Sequence, residues 1–321
     1  MYWSKYQMYS DDFMVWGELY IWISIDSDCP VQSMESAKVI KGNYSTMAED
    51  LTPILNYLNK IRGFDFFAYR TSMVERRIKQ QLLSIKCESY NDYPNYLHEN
   101  PDELDNLIDV LTINVSRFFR DTLMFEYFAD RILPAVIHQK KEAGDRTLRI
   151  WSSGCAMGEE PYSIAILVKE FFKKDALDIN INLFATDIDD KILKKAQKVA
   201  FPFESIKNVK YRLLKKYFVS KGKLFHLIPE IRNLVSFSAY DLLDKKSYAP
   251  PESIFGSFDM VLCRNVLIYF DTEYQDRIFD KLYRSLAKKG YLVLGEAEIP
   301  SMKFQGRFRQ VNECCHIYQK I

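Results

Sequence analysis

The most informative residues of this chain are two acids in a turn that ordinarily excludes acids. The run 148–163 reads LRIWSSGCAMGEEPYS. Leu148, Ile150 and Trp151 give way to small residues, Ser152 to Ala156. Gly158, Glu159, Glu160 and Pro161 come next, and a helical run follows from Tyr162 to Phe172. That order reads as strand, tight glycine turn at Gly154, then helix, which opens a nucleotide-sized crevice at the carboxyl end of a strand. A turn built for pyrophosphate aims backbone N–H groups at anionic oxygens and avoids carboxylates. Here two carboxylates stand where the phosphate would sit. The turn suits a nucleoside bearing positive charge, and S-adenosylmethionine, with its sulfonium and ammonium groups, has that character.

Other strand ends supply matching groups. Asp187 closes the apolar run FATD, 33 residues after Gly154. An acid there can hold the two hydroxyls of a ribose. Alone it would serve a nicotinamide dinucleotide equally well. The missing GxGxxG and the acids after Gly158 decide against the dinucleotide, and Asp189 is the better helix cap. AYDLL at 239–243 ends another strand. Asp241 there can accept from an adenine amino group, with Leu242 near the ring, although aspartates end many strands. The run 258–270, FDMVLCRNVLIYF, delivers Arg264 and Asn265 at its carboxyl end, with Tyr269 four residues on at the rim. A Tyr-Phe pair after an apolar strand is usually core. The preceding Cys263-Arg264-Asn265 marks this one as part of a site.

The elements that position these groups follow from hydrophobic spacing. Strands are expected at 148–152, 181–186, 234–238, 258–263, 290–295 and 314–319, and helices at 161–173, 189–198, 208–218 and 273–288. Such alternation builds an α/β domain with a mostly parallel sheet and helices on both faces. The segment 217–237, with a turn at Lys221-Gly222-Lys223, reads as an inserted antiparallel β-hairpin. From Met47 to about Val110 the pattern is helical: Leu51, Ile54, Leu55 and Leu58 share one face, and Gly63 ends that run. Thr71 or Ser72 can cap a helix over 73–86. Arg70, Arg76, Arg77, Lys79 and Lys86 cluster there against one acid, Glu75, and an acidic stretch follows from Glu88 to Asp109. The basic cluster is either a solvated face balanced by its acidic neighbour or a docking face for an acidic partner. Asp121 can cap a further helix that ends near Pro134. The expected organisation is an atypical extension over 1–46, a helical docking domain over 47–120, and a cofactor-binding domain over 121–321 with an insert near 217–237.

Bulk properties narrow the class. Of 321 residues, 48% are hydrophobic and 27% charged, which is ordinary for a globular protein, and the net charge of +1 recruits neither nucleic acid nor membrane. The six cysteines form no CxxC pair, as expected of reduced core thiols in the cytoplasm. No apolar stretch approaches the roughly 20 residues that span a bilayer. Three of the four tryptophans fall within the first 22 residues, so the extension does not match the rest.

Taken together, NVSRFFRD (114–121), WSSGCAMGEEPYSIA (151–165), ATDID (185–189) and FDMVLCRNVLIYFD (258–271) resemble the chemotaxis-receptor (protein-glutamate) O-methyltransferase family, over about Met47 to the C-terminus. The resemblance implies a Rossmann-like methyltransferase sheet, a small N-terminal all-α domain and a β-subdomain. It implies S-adenosylmethionine as methyl donor, S-adenosylhomocysteine as product, no metal, and glutamate side chains of chemoreceptor helices as acceptors. It implies that Asn114, Ser116 and Arg120 line the cofactor site, that Glu159 or Glu160 faces the methionine end, and that Asp187 holds the ribose. Asp241, Leu242, Cys263 and Arg264, followed by Asn265, would surround the adenine and the transfer mouth, with Arg120 and Tyr269 beside the methyl. Ser116 stands where the family suggests threonine, and Met157 is bulkier than the usual small residue. A surface glutamate, with a pKa of about 4.3, is already ionised at neutral pH, so no general base is required. Consistent with this, His98, His138, His226 and His316 lie outside the motifs. The basic helix would steer acidic receptor helices, and the hairpin edge could take a receptor C-terminal tail by strand addition. A same-fold methyltransferase with another substrate would not need the basic helix or hairpin. A non-catalytic S-adenosylmethionine-binding regulator would be expected to lose Arg120 or Tyr269.

Overall fold

The computed structural model describes residues 50–87, 89–112, 116–174, 179–253 and 256–321. The expectations for 1–46 and for Asn114 lie outside these residues.

Four helices open the described chain. α1 (Thr52–Arg62) buries Ile54, Leu55 and Leu58 and stops at Gly63, whose left-handed φ of 75° lets its N–H reach back to the Asn59 carbonyl. α2 (Thr71–Ile85) buries Val74, Ile78 and Leu82, while α3 (Tyr93–Glu99) and α4 (Pro101–Thr112) close a small core around them. Neither Thr71 nor Ser72 caps α2. Arg70 occupies the cap position, and its guanidinium has no acceptor with which to cap; its own N–H donates to the Tyr269 carbonyl at 2.9 Å.

α5 (Thr122–Tyr127) runs through a π turn, Phe128–Ile132, into α6 (Leu133–Glu142). Pro134 therefore does not end the helix. It sits in the first turn of α6, just past the widened π turn, where a missing N–H is tolerated. Asp121 does occupy the cap position of α5, but with φ 63° and no capping bond; its carboxylate is engaged elsewhere.

The sheet begins with β1 (Thr147–Ser153), then α7 (Glu159–Lys174), β2 (Asn180–Asp187) and α8 (Asp190–Gln197). A second small sheet follows: β3 (Ala200–Pro202), α9 (Phe203–Ile206), α10 (Tyr211–Tyr217), β4 (Phe218–Lys221) and β5 (Leu224–Leu227). The chain then returns through α11 (Pro229–Arg232) to β6 (Val235–Ala239), β7 (Phe258–Cys263), α12 (Thr272–Ser285), β8 (Leu286–Leu294), β9 (Phe308–Gln310) and β10 (Ile317–Lys320). The main sheet has the order β6-β2-β1-β7-β8-β10-β9, with the first five strands parallel and β10 antiparallel to both neighbours. The order reverses between β1 and β7, and ligands bind beyond such a reversal. All six residues of β7 are buried, as a central parallel strand requires. The second sheet is antiparallel, in the order β3-β5-β4. It is wider than the hairpin expected at 217–237, because β3 joins it from upstream, and β6 belongs to the main sheet.

The helical part is tied to the sheet beside β7. Tyr69 forms a bridge with Phe270, and the Asp271 N–H donates to the Ala68 carbonyl at 3.1 Å. No helix among the described residues is long and apolar enough to cross a membrane.

Candidate functional site

The turn after β1 is held by its backbone. The Cys155 N–H donates to the Thr186 carbonyl at 2.9 Å and the Gly158 N–H to the Cys155 carbonyl at 3.0 Å. Gly154 has a φ of 68°, and a Cβ there would lie 2.4 Å from a methyl of Val266. Only glycine meets both demands. Asp187, at the end of β2, accepts from the Ala156 N–H (2.9 Å) and the Asp189 N–H (3.1 Å). A carboxylate has about four acceptor sites, so these bonds leave it acceptor capacity for a hydroxyl. Burial raises the Asp187 pKa above the ordinary carboxylate value, and the backbone N–H groups of Asp189, Ala156 and Ile188 pull it partly back. Asp189 caps α8, accepting from the N–H groups of Lys191 and Ile192.

Asp241, past the end of β6, accepts from the Leu243 N–H at 2.8 Å, and burial raises its pKa too. The segment around it is pinned by a buried amine. Lys281 donates to the Tyr240 hydroxyl (2.9 Å) and to the Asp244 carbonyl (2.6 Å), and burial lowers its pKa to about 8.

Gly154, Asp187, Asp241, Leu242, Asn265 and Tyr269 line one crevice at the carboxyl ends of β1, β2, β6 and β7. Tyr69 and Thr112 of the helical part close it. Tyr269 ends a short 3₁₀ turn, Leu267–Tyr269; burial raises its pKa, and the charges of Arg120 and Arg77 oppose that rise. A second, larger cavity, lined in part by Phe119, Phe125, Glu170 and Leu213, contains none of the expected side chains.

Several expected residues sit elsewhere. Glu159 turns into the core, where it accepts from the Ser205 hydroxyl at 3.1 Å. Glu160 accepts from Ser152 (2.8 Å) and from Arg264 (2.9 Å). Neither lines the crevice: both lie in the first turn of α7, which lies behind the glycine turn. Arg264 is not among the residues that line the crevice. Its guanidinium is buried between Glu160 and Asp121 and donates to the Arg120 carbonyl at 3.0 Å. Cys263 is fully buried in the sheet interior, its thiol pKa pushed up by that burial. Ser116 and Arg120 are half-buried and outside the crevice lining. On α2, Arg70, Arg76 and Lys79 are exposed, but Arg77 is half-buried and donates to the Val110 carbonyl.

The lining residues Tyr69, Thr112 and Val266 carried no expectation, and neither did Glu298, which holds the Asn265 segment from behind. Glu298 is 3% exposed, and its carboxylate accepts from the backbone of the Asn265 segment. Its only trace in the sequence is an acid soon after an apolar strand, in LGEAEI.

The crevice suits S-adenosylmethionine. Asp187 keeps acceptor capacity for hydroxyls, Asp241 stands apart from it for a base, and the glycine turn leaves space no side chain could share. A parallel sheet with this reversal, a glycine turn and an acid at the end of its second strand defines a Rossmann-like nucleotide-binding fold, and the family match assigns it to the S-adenosylmethionine-dependent methyltransferases. Residues 114–316 match the family model described as CheR methyltransferase, SAM binding domain, and residues 49–112 match CheR methyltransferase, all-alpha domain. The chain belongs to the CheR methyltransferase family. It is 38% identical over 247 residues to chemotaxis protein methyltransferase 1 of Pseudomonas aeruginosa, covering 75% of this chain and 87% of that one. It is 31% identical over 268 residues to chemotaxis protein methyltransferase 2 of Vibrio cholerae, covering 81% and 90%. With the chemotaxis protein methyltransferase of Borreliella burgdorferi it shares 28% identity over 259 residues, covering 80% and 90%.

Proposed function

We propose that this enzyme transfers the methyl group of S-adenosylmethionine to glutamate carboxylates of chemoreceptors, giving glutamate methyl esters and S-adenosylhomocysteine. The carrying observation is the crevice at the strand ends, lined by Asp187, Asp241 and Tyr269, in a chain whose helical and sheet portions match the two CheR methyltransferase domains.

S-adenosylmethionine, when bound, supplies an electrophilic methyl group, and displacement by a carboxylate needs no proton removed from the acceptor. The chain's work is alignment, which can contribute up to about 7–11 kcal/mol to catalysis. Asp187 holds the ribose, and Asp241 with Leu242 holds the base. Arg120 orients the acceptor carboxylate, and the Tyr269 hydroxyl forms a hydrogen-bonding wall beside it. Arg70, Arg76 and Lys79 on α2 steer acidic receptor helices to the mouth. β4 pairs with β5 along one side, and its Val219 is 48% exposed. That edge is our candidate for adding a receptor tail as a strand. Receptor helices of this kind place the enzyme in the cytoplasm.

Incubation with methyl-labelled S-adenosylmethionine and receptor-bearing membranes tests the assignment. Label on a receptor that alkali releases as methanol is the expected result. Cofactor binding without any base-labile label on receptor would sink it.

A further inference from the structure

We infer that Glu298 is a positioning residue for methyl transfer: its carboxylate holds the 265–269 segment in working shape before any ligand arrives. The inference rests on the crevice being the S-adenosylmethionine site. Oε2 of Glu298 accepts from the N–H of Asn265 (2.9 Å) and of Gly295 (2.7 Å). Oε1 accepts from the N–H groups of Val266 (2.8 Å), Leu267 (2.7 Å) and Ile268 (3.3 Å). Five backbone donors converge on one carboxylate. Successive N–H groups aimed at one point usually form a nest for an external anion. Here the chain fills the nest with its own side chain.

The surroundings are shaped to this contact. Asn265 holds a φ of 58°, a conformation that a side chain larger than hydrogen disfavours. A Cβ on Gly295 would lie 2.8 Å from both the Asn265 nitrogen and the Glu298 carboxylate, so the turn has room only for glycine. Behind it, Nδ1 of His316 lies 2.7 Å from the Glu298 carbonyl and 3.0 Å from the Gly295 carbonyl. Both partners are acceptors, so Nδ1 carries the proton. The segment held in this way brings Asn265, Val266 and Tyr269 to the crevice. A segment that had to find this shape during binding would lose affinity to its own ordering.

Glu298→Gln keeps the size but turns one acceptor oxygen into an amide donor facing backbone N–H groups. The dissociation constant for S-adenosylhomocysteine, measured by calorimetry, should rise roughly tenfold, as expected for a lost charge-assisted bond. The kcat should fall by more than KM rises, and deuterium uptake over 265–268 should quicken. Val136→Ala, in the buried face of α6, serves as a control that lowers Tm without touching the crevice. If Glu298→Gln lowers Tm as that control does but leaves the dissociation constant and kcat intact, Glu298 is merely structural and the inference is wrong. If the wild-type protein does not bind S-adenosylhomocysteine, the assignment of the crevice fails instead. Should Glu298→Gln not fold, the wild type decides. Its 265–268 amides should be protected without ligand, and protection acquired only on adding S-adenosylhomocysteine would overturn the preformed segment.

Discussion

The Arg264 guanidinium donates to the backbone carbonyl of Arg120 at 3.0 Å, and so joins two segments that lie 144 positions apart in the chain. It also meets the Asp121 and Glu160 carboxylates and lies over the Phe125 ring, and only 2% of its side chain is exposed. Arg120 stands between two left-handed residues, Phe119 (φ 53°) and Asp121 (φ 63°). Arg264 thus secures the backbone reversal that presents Arg120. Arg264→Met strands two half-buried carboxylates beside a buried site. Urea unfolding should show a loss of about 3–5 kcal/mol, the usual cost of breaking a buried ion pair. Methyl transfer should fall with it, and an unchanged kcat would separate the cluster from Arg120.

Tyr269→Phe keeps the ring and removes the hydroxyl. If the hydroxyl acts only near the reacting groups, kcat should fall about tenfold or more while the KM for both substrates barely moves. Equal kcat for the two proteins would remove Tyr269 from the chemistry.

Gly154→Ala meets both a left-handed backbone and the methyl group 2.4 Å away on Val266. The expected destabilisation is about 1–3 kcal/mol, with weaker S-adenosylhomocysteine binding. Adding Val266→Ala relieves the contact but not the backbone, so thermal melts of the double variant should recover only part of the loss.

The raised pKa of Asp187 gives a pH dependence of definite sign. Burial makes the folded chain hold this proton more tightly than the unfolded chain does. The cost of the buried charge is therefore present at neutral pH and is relieved as pH falls through the raised pKa. Acceptor capacity for the ribose is lost over that same window. Calorimetric affinity for S-adenosylhomocysteine should weaken on acidification, with a midpoint above the ordinary aspartate value. Asp187→Asn should bind weakly and flatten that part of the profile.

Reversing charge at Arg76 and Lys79, both exposed on α2, should slow association with receptor and flatten its dependence on salt. Chemistry on bound receptor should be little altered. Arg77 is the wrong residue for this experiment, because its guanidinium is committed to the Val110 carbonyl. Stopped-flow association at several ionic strengths distinguishes the cases.

The parallel strands and the crevice were legible because strand ends carry their signal locally. Asp187, Asp241 and Asn265 each follow an apolar run, and each reaches the crevice. Spacing did not reveal which of two adjacent polar residues turns inward. Arg264 and Asn265 leave the same strand, yet one is drawn into a buried charge cluster and the other reaches the ligand side. Glu159 and Glu160 divide for the same reason, since neighbouring positions on a helix point in different directions. Glu298 acts on backbone N–H groups some thirty residues away, a relationship without any residue pattern. β3 is only three residues long and includes Pro202, so its pairing with β5 left no alternation to read.

The bond from the Arg70 N–H to the Tyr269 carbonyl ties the start of α2 to the residue proposed to stand beside the reacting methyl. If α2 grips the receptor, grip and chemistry are joined through the backbone as the two ends of one gauge. Selection among neighbouring glutamates would then be a matter of length: the acceptor would be the residue whose offset from the gripped acids equals the span from α2 to Tyr269.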